Sequence, residues 1–229
     1  MNPMLDVKGL SFAFDEGPAL RDINFSVQKG ERVGILGANG AGKTTLLWCV
    51  LGLLKGKGQI RVLDERPAGD GDTAIGAVFQ NPEDQLFLPR LIDDLTLPLI
   101  NRGMPAAEAT ARAEATLRSF GLGFAADRPA TRLSMGQRKR AALAAALVTS
   151  PRLVILDEPT AELDGRSVRQ LAELLNGLTL TLIVASHDVE FLRAVTSRVL
   201  ILFEGRIATD GPTPTVLTDR VLLERAGII

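Results

Sequence analysis

The sequence of 229 residues predicts an α/β fold with a mostly parallel core sheet, an N-terminal antiparallel β region and an inserted helical lobe. The α/β class is indicated by short apolar runs that alternate with helical segments early and late in the chain. This pattern is typical of parallel strands covered by helices on both faces. The lobe is indicated by residues 81–150, which are rich in Ala, Arg, Glu and Leu and show helical periods instead.

The antiparallel region is predicted from the alternation of apolar and polar residues over the first thirty positions. Gly17-Pro18 and Lys29-Gly30 punctuate this region as turns. The apolar positions are Leu5, Val7, Leu10, Phe12 and Phe14, followed by Ile23, Phe25 and Val27. We therefore expect paired strands with one buried face.

The core sheet and the lobe are predicted from runs of different length. Core strands are expected at residues Arg32–Leu36, 59–62, 75–79, 153–156, 181–185 and 199–203, and core helices at 43–54, 167–175 and Val189–Val195. Lobe helices are expected at 94–99, 106–120 and 136–147. We expect one domain over residues 1–229, with a core formed by 1–80 and 151–229 and a helical lobe at 81–150.

The composition excludes several classes of protein. The formal net charge of −1 removes the simplest case for a nucleic-acid binder, which needs a surplus of cations. One cysteine, Cys49, excludes an intrachain disulfide and a Cys-based zinc site, and one histidine, His187, excludes a multi-histidine metal centre. No apolar stretch approaches the roughly 20 residues of a membrane span, and no signal peptide is expected.

A glycine-rich loop between a strand and a helix is the first functional motif. Residues 37–44 fit the pattern G-x-x-x-x-G-K-[ST], in which backbone N–H groups and a helix N-terminus surround phosphate oxygens. Lys43 is expected to reach the β- and γ-phosphates, and the Thr44 hydroxyl to bind Mg²⁺. The alternative is a glycine turn that caps a helix, with a lysine there by chance. The residues predicted to contact nucleotide are Gly37, Ala38, Asn39, Gly40, Ala41, Gly42, Lys43, Thr44 and Thr45.

Two carboxylates follow the strand expected at residues 153–156. Asp157 is placed to hold Mg²⁺, as the Walker-B aspartate of a P-loop enzyme does. Glu158 is placed to orient or deprotonate the attacking water. The alternative is a pair of solvated acids at a strand end, but the phosphate loop in the same chain favours the functional interpretation.

A third motif narrows the family. Residues 133–137 read Leu-Ser-Met-Gly-Gln and resemble the signature of ABC-type ATPases, usually written Leu-Ser-Gly-Gly-Gln. The family's other parts occur in order: Gln80 matches the Q-loop glutamine, residues 161–164 match the D-loop, and His187 matches the switch histidine. The resemblance covers nearly the whole chain and implies a P-loop ATPase fold, with ATP hydrolysis that depends on Mg²⁺.

The resemblance also implies a site shared between two subunits. Ser134, Gly136 and Gln137 would form a second phosphate clamp at a helix start, facing the ATP held by a second cassette, either a copy of this chain or a relative. Asp164 would connect the two sites across the interface, and His187 would contact the γ-phosphate and help to position the water.

The remaining roles are catalytic and metal-binding. Glu158, His187 and Gln80 are expected to be catalytic, and Thr44, Gln80 and Asp157 are expected to hold the Mg²⁺.

The sequence departs from the family at two points. Met135 replaces the usual second glycine of the signature, which puts the approach of the backbone to phosphate at that residue in question. The aromatic residue that stacks on adenine is commonly Tyr, and this chain has no Tyr. Phe14 aligns best with it, and Phe12 is the competitor on the same face. For either phenylalanine, a plain core role is the alternative.

The stretch after Gln80 indicates the class of transporter. Residues 81–87 read Asn-Pro-Glu-Asp-Gln-Leu-Phe and resemble the Q-loop extension of energy-coupling-factor transporters, which pair two cassettes with a membrane T component and a substrate-capturing S component. Leu86, Phe87 and Leu88 would form part of a groove for the membrane partner, whereas a polar loop is the alternative. We expect Arg138-Lys139-Arg140 to be a solvated helix face. The chain ends soon after residues 216–226, which resembles cassettes of dedicated cobalt, nickel or biotin systems, with cobalt or nickel favoured.

Two other functions stay open. A conventional ABC importer would use different membrane subunits, and a non-transport ABC ATPase would act on nucleic acid. The net charge of −1 disfavours an ATPase that acts on nucleic acid, so no nucleic-acid partner is expected. We expect a peripheral protein at the cytoplasmic face of the cell membrane, which contacts the membrane through its partners only.

Overall fold

The computed structural model describes residues 3–62 and 75–228. Residues 63–74, which the sequence assigns to the core, lie outside the described residues. The described strands are β1 (Leu5–Phe14), β2 (Gly17–Val27), β3 (Arg32–Leu36), β4 (Lys57–Val62), β5 (Ile75–Val78), β6 (Leu153–Asp157), β7 (Thr181–Ser186), β8 (Arg198–Phe203) and β9 (Arg206–Pro212).

Helices pack on the faces of the core sheet, and three of them make up most of the segment between β5 and β6. The described helices are α1 (Lys43–Val50), α2 (Leu91–Ile100), α3 (Ala106–Ser119), α4 (Met135–Leu147), α5 (Gly165–Asn176), α6 (Val189–Val195), α7 (Thr213–Val216) and α8 (Arg220–Arg225). Short 3₁₀ turns lie at Pro82–Asp84, Gly123–Ala125 and Ala130–Arg132. No helix among the described residues is both long enough and apolar enough to span a bilayer.

The core sheet has the strand order β5-β6-β7-β3-β8-β9 in the described part of the chain. Its first five strands are parallel to one another, and β9 pairs antiparallel with β8 at the edge. The second sheet, β2-β1-β4, is antiparallel. The predicted fold class, with a mostly parallel core sheet and an antiparallel N-terminal region, is therefore confirmed.

Successive residues of the core strands pack into two different apolar clusters. In β6, Val154 and Leu156 face the cluster that includes α2 to α6, whereas Leu153 and Ile155 face the cluster shared with α1 and the antiparallel sheet. Because side chains alternate between the two faces of a strand, burial on both sides requires an uninterrupted apolar run. This packing holds the ends of β3, β6 and β7 side by side.

Two helices and one strand illustrate where the structure differs from the sequence prediction. Helix α1 ends at Val50 rather than at residue 54, because Gly52 adopts a left-handed φ of 75°. Helix α2 begins at Leu91 rather than at residue 94, after Arg90 in an extended conformation. Strand β9 was not predicted, since its side chains alternate between exposed and half-buried and carry little apolar signal.

Candidate functional site

The glycine-rich loop lies against neighbouring backbone, and this contact requires glycine. A Cβ at Gly37 would lie 2.6 Å from the carbonyl oxygen of Leu202 on β8. Gly42 has a φ of 103°, and a Cβ there would lie 2.9 Å from the carbonyl oxygen of Ala19 on β2. Both sheets therefore fix the loop, and the loop delivers Lys43 to the first position of α1.

Lys43 is buried and points back over the loop that precedes it. Its Nζ donates to the carbonyl oxygens of Gly37, at 2.7 Å, and Ala38, at 3.1 Å. The same ammonium forms an ion pair with Glu158 Oε1 at 3.0 Å. This ion pair joins the start of α1 to the residue after β6, so the phosphate loop and the acidic strand meet.

Glu158 lies between two basic side chains. Its Oε2 is 2.9 Å from His187 Nδ1 and accepts a longer bond of 3.4 Å from the His187 backbone N–H. The Glu158 carboxylate is buried, whereas the His187 side chain is 57% exposed. Glu158 also has a φ of 44°, in the left-handed region that a non-glycine residue seldom adopts. Such conformations cluster at functional sites.

Asp157 is the last residue of β6 and is 3% exposed. Burial raises its pKa, while a hydrogen bond from the Thr44 side chain opposes that rise. One of its carboxylate oxygens, Oδ1, is buried and has no hydrogen-bond partner among the described residues. An orphaned carboxylate oxygen beside a hydroxyl suits a hard, oxygen-seeking cation such as Mg²⁺.

A cavity of about 670 Å³ collects most of the predicted residues. The predicted residues that line it are Phe14, Asn39, Gly40, Gly42, Lys43, Thr44, Thr45, Gln80, Glu158 and His187. Gly37, Ala38, Ala41 and Asp157 are absent from its lining. The prediction missed Glu16, Gly17, Pro18, Ala19 and Ala161, which complete the lining. Gly17 and Pro18 signalled only a turn in the sequence, and nothing in the pattern placed that turn opposite the phosphate loop.

The two candidate aromatic residues occupy different environments. Phe14 is 48% exposed and lines the cavity. Phe12 is half-buried and packs against the apolar cluster under the antiparallel sheet. Their rings meet edge to face, with centroids 4.8 Å apart at 82°. Phe14 is therefore the one with a free face toward the cavity.

The signature residues line a separate, smaller cavity of about 120 Å³. Ser134 caps α4: its hydroxyl accepts from the Gln137 N–H at 3.3 Å, and the Gln137 side chain accepts from the Ser134 N–H at 2.9 Å. Ser134, Gly136 and Gln137 line this cavity and share no lining residue with the larger one. One chain thus divides the predicted nucleotide contacts between two surfaces.

Asp164 caps α5 beside the smaller cavity. Its carboxylate accepts from the Ser167 N–H at 2.8 Å, and this hydrogen bond lowers the pKa of Asp164. Ser167 itself lines the smaller cavity, whereas Asp164 lines neither cavity. The structure therefore places Asp164 with the signature side of the chain.

The prediction that Arg138-Lys139-Arg140 forms a solvated helix face is wrong. Lys139 is 3% exposed and donates to the backbone carbonyls of Gln80 and Glu158. Arg138 forms an ion pair with Glu83, and Arg140 is half-buried. Three consecutive cations give no helical phase, so the sequence did not reveal that α4 packs this segment against the loop after β5.

Residues 81–87 are anchored to the end of β5. The Gln85 side chain accepts from the Phe79 N–H at 3.0 Å and donates to the Ala77 carbonyl at 2.7 Å, in place of a neighbouring strand. Leu86 is 5% exposed, whereas Phe87 is 70% exposed. The expected apolar groove therefore does not include Leu86, which packs into the core, while Phe87 is displayed outward.

Comparison with known proteins identifies relatives over nearly the full chain. The family model described as ABC transporter matches residues 20–161. The cobalt import ATP-binding protein CbiO of Rhodobacter capsulatus is 38% identical and aligns with 100% of this chain and 85% of its own. The nickel import ATP-binding protein NikO of the same organism is 37% identical, and the alignment covers 100% of this chain and 97% of NikO.

Two solved structures are also similar. The structure of CbiO1 from Clostridium perfringens, part of the ABC transporter complex CbiONQ, is 33% identical with a TM-score of 0.82, and 100% of this chain and 96% of that chain are covered. An ATP-binding cassette solved as a dimer in a post-hydrolysis state, bound to ADP and Pi, is 28% identical with a TM-score of 0.78, and 92% and 99% are covered.

Proposed function

The chain belongs to the ABC transporter family as an ATP-binding subunit, and from that premise we propose that it hydrolyses ATP to energise an energy-coupling-factor importer of cobalt or nickel ions. The observation that carries the ATPase part is the cavity of about 670 Å³, which brings the phosphate loop, Gln80, Glu158 and His187 together. Its volume lies within the range of roughly 300–1,000 Å³ that is usual for ligand sites.

ATP is oriented in this cavity by its two ends. The exposed face of Phe14 stacks on the adenine, and the phosphates lie against the loop N–H groups at the start of α1. Lys43 then exchanges its present acceptors, the loop carbonyls and Glu158, for phosphate oxygens. This exchange releases the Glu158 carboxylate at the moment when the substrate arrives.

The chain's residues fit a Mg²⁺ ion. Thr44, Gln80 and Asp157 would hold it, and it would neutralise charge on the phosphates. The orphaned Oδ1 of Asp157 supports this assignment. Among the described residues, no group of three or more His, Cys, Asp or Glu side chains forms a self-sufficient metal site. Mg²⁺ usually keeps several of its waters and is bound by one or two carboxylates together with the phosphates of the substrate, so such a group is not needed.

Glu158 and His187 act on the attacking water. Once Lys43 has moved away, Glu158 is the carboxylate placed to orient the water and to accept its proton. His187, within hydrogen-bond distance of Glu158 Oε2, contacts the γ-phosphate and holds the carboxylate in place.

A second copy of the chain completes each site. Ser134, Gly136 and Gln137 do not line their own chain's larger cavity but line a separate, smaller one. In the dimer, the helix start at Ser134 presents N–H groups and a partial positive charge to the γ-phosphate held by the partner. Asp164, which caps the adjacent helix, connects the two sites.

The importer class is supported by the relatives and by the loop after Gln80. Relatives named for cobalt and nickel import align with the whole chain. Phe87, 70% exposed on a loop anchored by Gln85, offers an apolar contact for a membrane T component, which in turn carries an S component. The chain would thus sit at the cytoplasmic face of the membrane through these partners.

Co-purification from membranes tests this class. The tagged chain is expressed with its chromosomal neighbours, and the partners and bound metal are identified by mass spectrometry. Recovery of a T-type protein with a small substrate-binding membrane protein and cobalt or nickel is the expected result. Recovery of conventional permease subunits would overturn the importer class while leaving the ATPase assignment intact.

Replacing Glu158 tests the catalytic assignment. Glu158→Gln should lower ATP turnover by roughly 10²–10⁴-fold, the usual contribution of a positioned base, while ATP still binds. Glu173→Gln, on the exposed side of α5, is the matched control and should hydrolyse ATP at the wild-type rate. Unchanged turnover in Glu158→Gln would exclude Glu158 as the base.

A further inference from the structure

Lys139 links three parts of the site within one chain. It lies on α4 and is 3% exposed. Its Nζ donates to the carbonyl of Gln80 and, at 3.3 Å, to that of Glu158, which lie 59 and 19 residues away in sequence. We infer that Lys139 is a positioning residue that fixes the main chain of Glu158 and Gln80 for ATP hydrolysis. This inference rests on the proposed ATPase function.

The main chain of Glu158 is in a conformation that must be held. Its φ of 44° is uncommon outside glycine and persists only where the surroundings enforce it. The Glu158 N–H donates to the Ala185 carbonyl at 2.8 Å, and the Glu158 carbonyl accepts from Lys139. The residue is therefore fixed from β7 on one side and from α4 on the other, which aims its carboxylate at Lys43 and His187.

Burying an ammonium group costs more free energy than burying an apolar side chain of similar size, so packing alone does not explain Lys139. Burial lowers the pKa of Lys139, and the nearby carboxylates of Glu162, Glu158 and Asp157 oppose that shift. A methionine would fill similar space without desolvating a charge, but it would leave the carbonyls of Gln80 and Glu158 without this donor. The charge at this position therefore serves the two carbonyls rather than the core.

Lys139 differs from Lys43 in the atom of Glu158 that it contacts. Lys43 pairs with the carboxylate and has to leave it when phosphates bind. Lys139 bonds the carbonyl, so its contact is independent of where the carboxylate turns. The neighbouring Arg138 ties α4 to Glu83 in the loop after Gln80. Helix α4 thus holds both the loop and the catalytic residue as one unit.

Lys139→Met tests the inference, because it removes the charge and the donors at similar length. We expect kcat to fall by roughly 10²-fold, as for a catalytic group displaced by about 1 Å, with KM changed by less than about threefold. Lys139→Gln keeps a donor and should recover part of the loss. It also serves as the test variant if the methionine protein does not fold. Lys8→Met, at an exposed lysine, is the control and should match wild type.

A second background separates positioning from general stability. In Glu158→Gln, adding Lys139→Met should lower the residual rate by less than about threefold, since the group that Lys139 positions is already gone. The inference would be overturned if Lys139→Met lowered the rate of ATP hydrolysis by the same factor in both backgrounds. It would also be overturned if wild type hydrolysed ATP and the single Lys139→Met variant were equally active. A wild-type chain without ATP hydrolysis would instead overturn the proposed function.

Discussion

Glu158 shows how one residue's role depends on neighbours from distant parts of the chain. The strand end and the adjacent Asp157 made its chemistry predictable, because carboxylates at that position serve phosphate chemistry in P-loop enzymes. Its contacts with Lys43 and His187 were consistent with that role. Its left-handed backbone conformation and the hydrogen bond from Lys139 to its carbonyl arise only when β6, β7 and α4 pack together. No local sequence pattern could therefore predict them.

The buried charge of Asp157 predicts a penalty in stability. Burial raises the folded-state pKa above the ordinary value of 3.8, so the ionised form weakens folding at neutral pH. Asp157→Asn should therefore raise the free energy of unfolding at pH 7.5 by on the order of 1 kcal/mol, as active-site replacements often do. The gain should shrink as the pH falls through the raised pKa, because the wild-type carboxyl then becomes protonated and the penalty disappears.

Denaturant unfolding in EDTA over a series of pH values from 7.5 downward provides the measurement. Asp127→Asn, at a side chain that is 82% exposed, is the control and should have little effect on stability throughout the series. A variant of Asp157 that unfolds more easily than wild type at pH 7.5 would show that the carboxylate is stabilising instead.

At the scale of elements, the phosphate loop and the strands around it form one unit. The apolar runs and the glycine pattern identified β3, the loop and α1, because burial on both faces and close backbone contact demand particular residue types. Elements whose structure requires no particular residue types were not predicted. Strand β9 is exposed along one side, and the turn at Gly17 and Pro18 enters the cavity only because β2 passes beside the loop.

Gly37 provides a test of this unit. Gly37→Ala places a Cβ 2.6 Å from the Leu202 carbonyl, so β8 or the loop must move. We expect a loss of about 1–3 kcal/mol in unfolding free energy, the usual range for overpacking, together with weakened ATP binding. Calorimetry of unfolding and of ATP titration measures both effects.

Gly177→Ala is the matched control for this substitution. Gly177 has a φ of −73°, and a Cβ there would meet its nearest atom at 3.5 Å. It should leave ATP binding unchanged. A Gly37→Ala protein with wild-type stability and affinity would mean that the loop does not need its close contact with β8.

At the scale of the whole molecule, the residues predicted to bind nucleotide line two separate cavities of the chain. The larger cavity holds the phosphate loop and Glu158, and the smaller one holds Ser134 and Gly136. The sequence predicted both sets of residues but could not show that they lie on separate surfaces of one chain. Under the proposed function, this separation requires a second cassette to complete each site. The division into a core and a helical lobe at residues 81–150 stays a prediction.

Mixing two inactive variants tests the shared site most directly. Lys43→Met removes the phosphate contact and Ser134→Arg blocks the signature cavity, so each protein alone should hydrolyse almost no ATP. A mixture should recover up to roughly a quarter of the wild-type rate, because half of the randomly paired dimers then contain one complete site. A mixture as inactive as its components, beside an active wild-type chain, would contradict a site completed by a second copy.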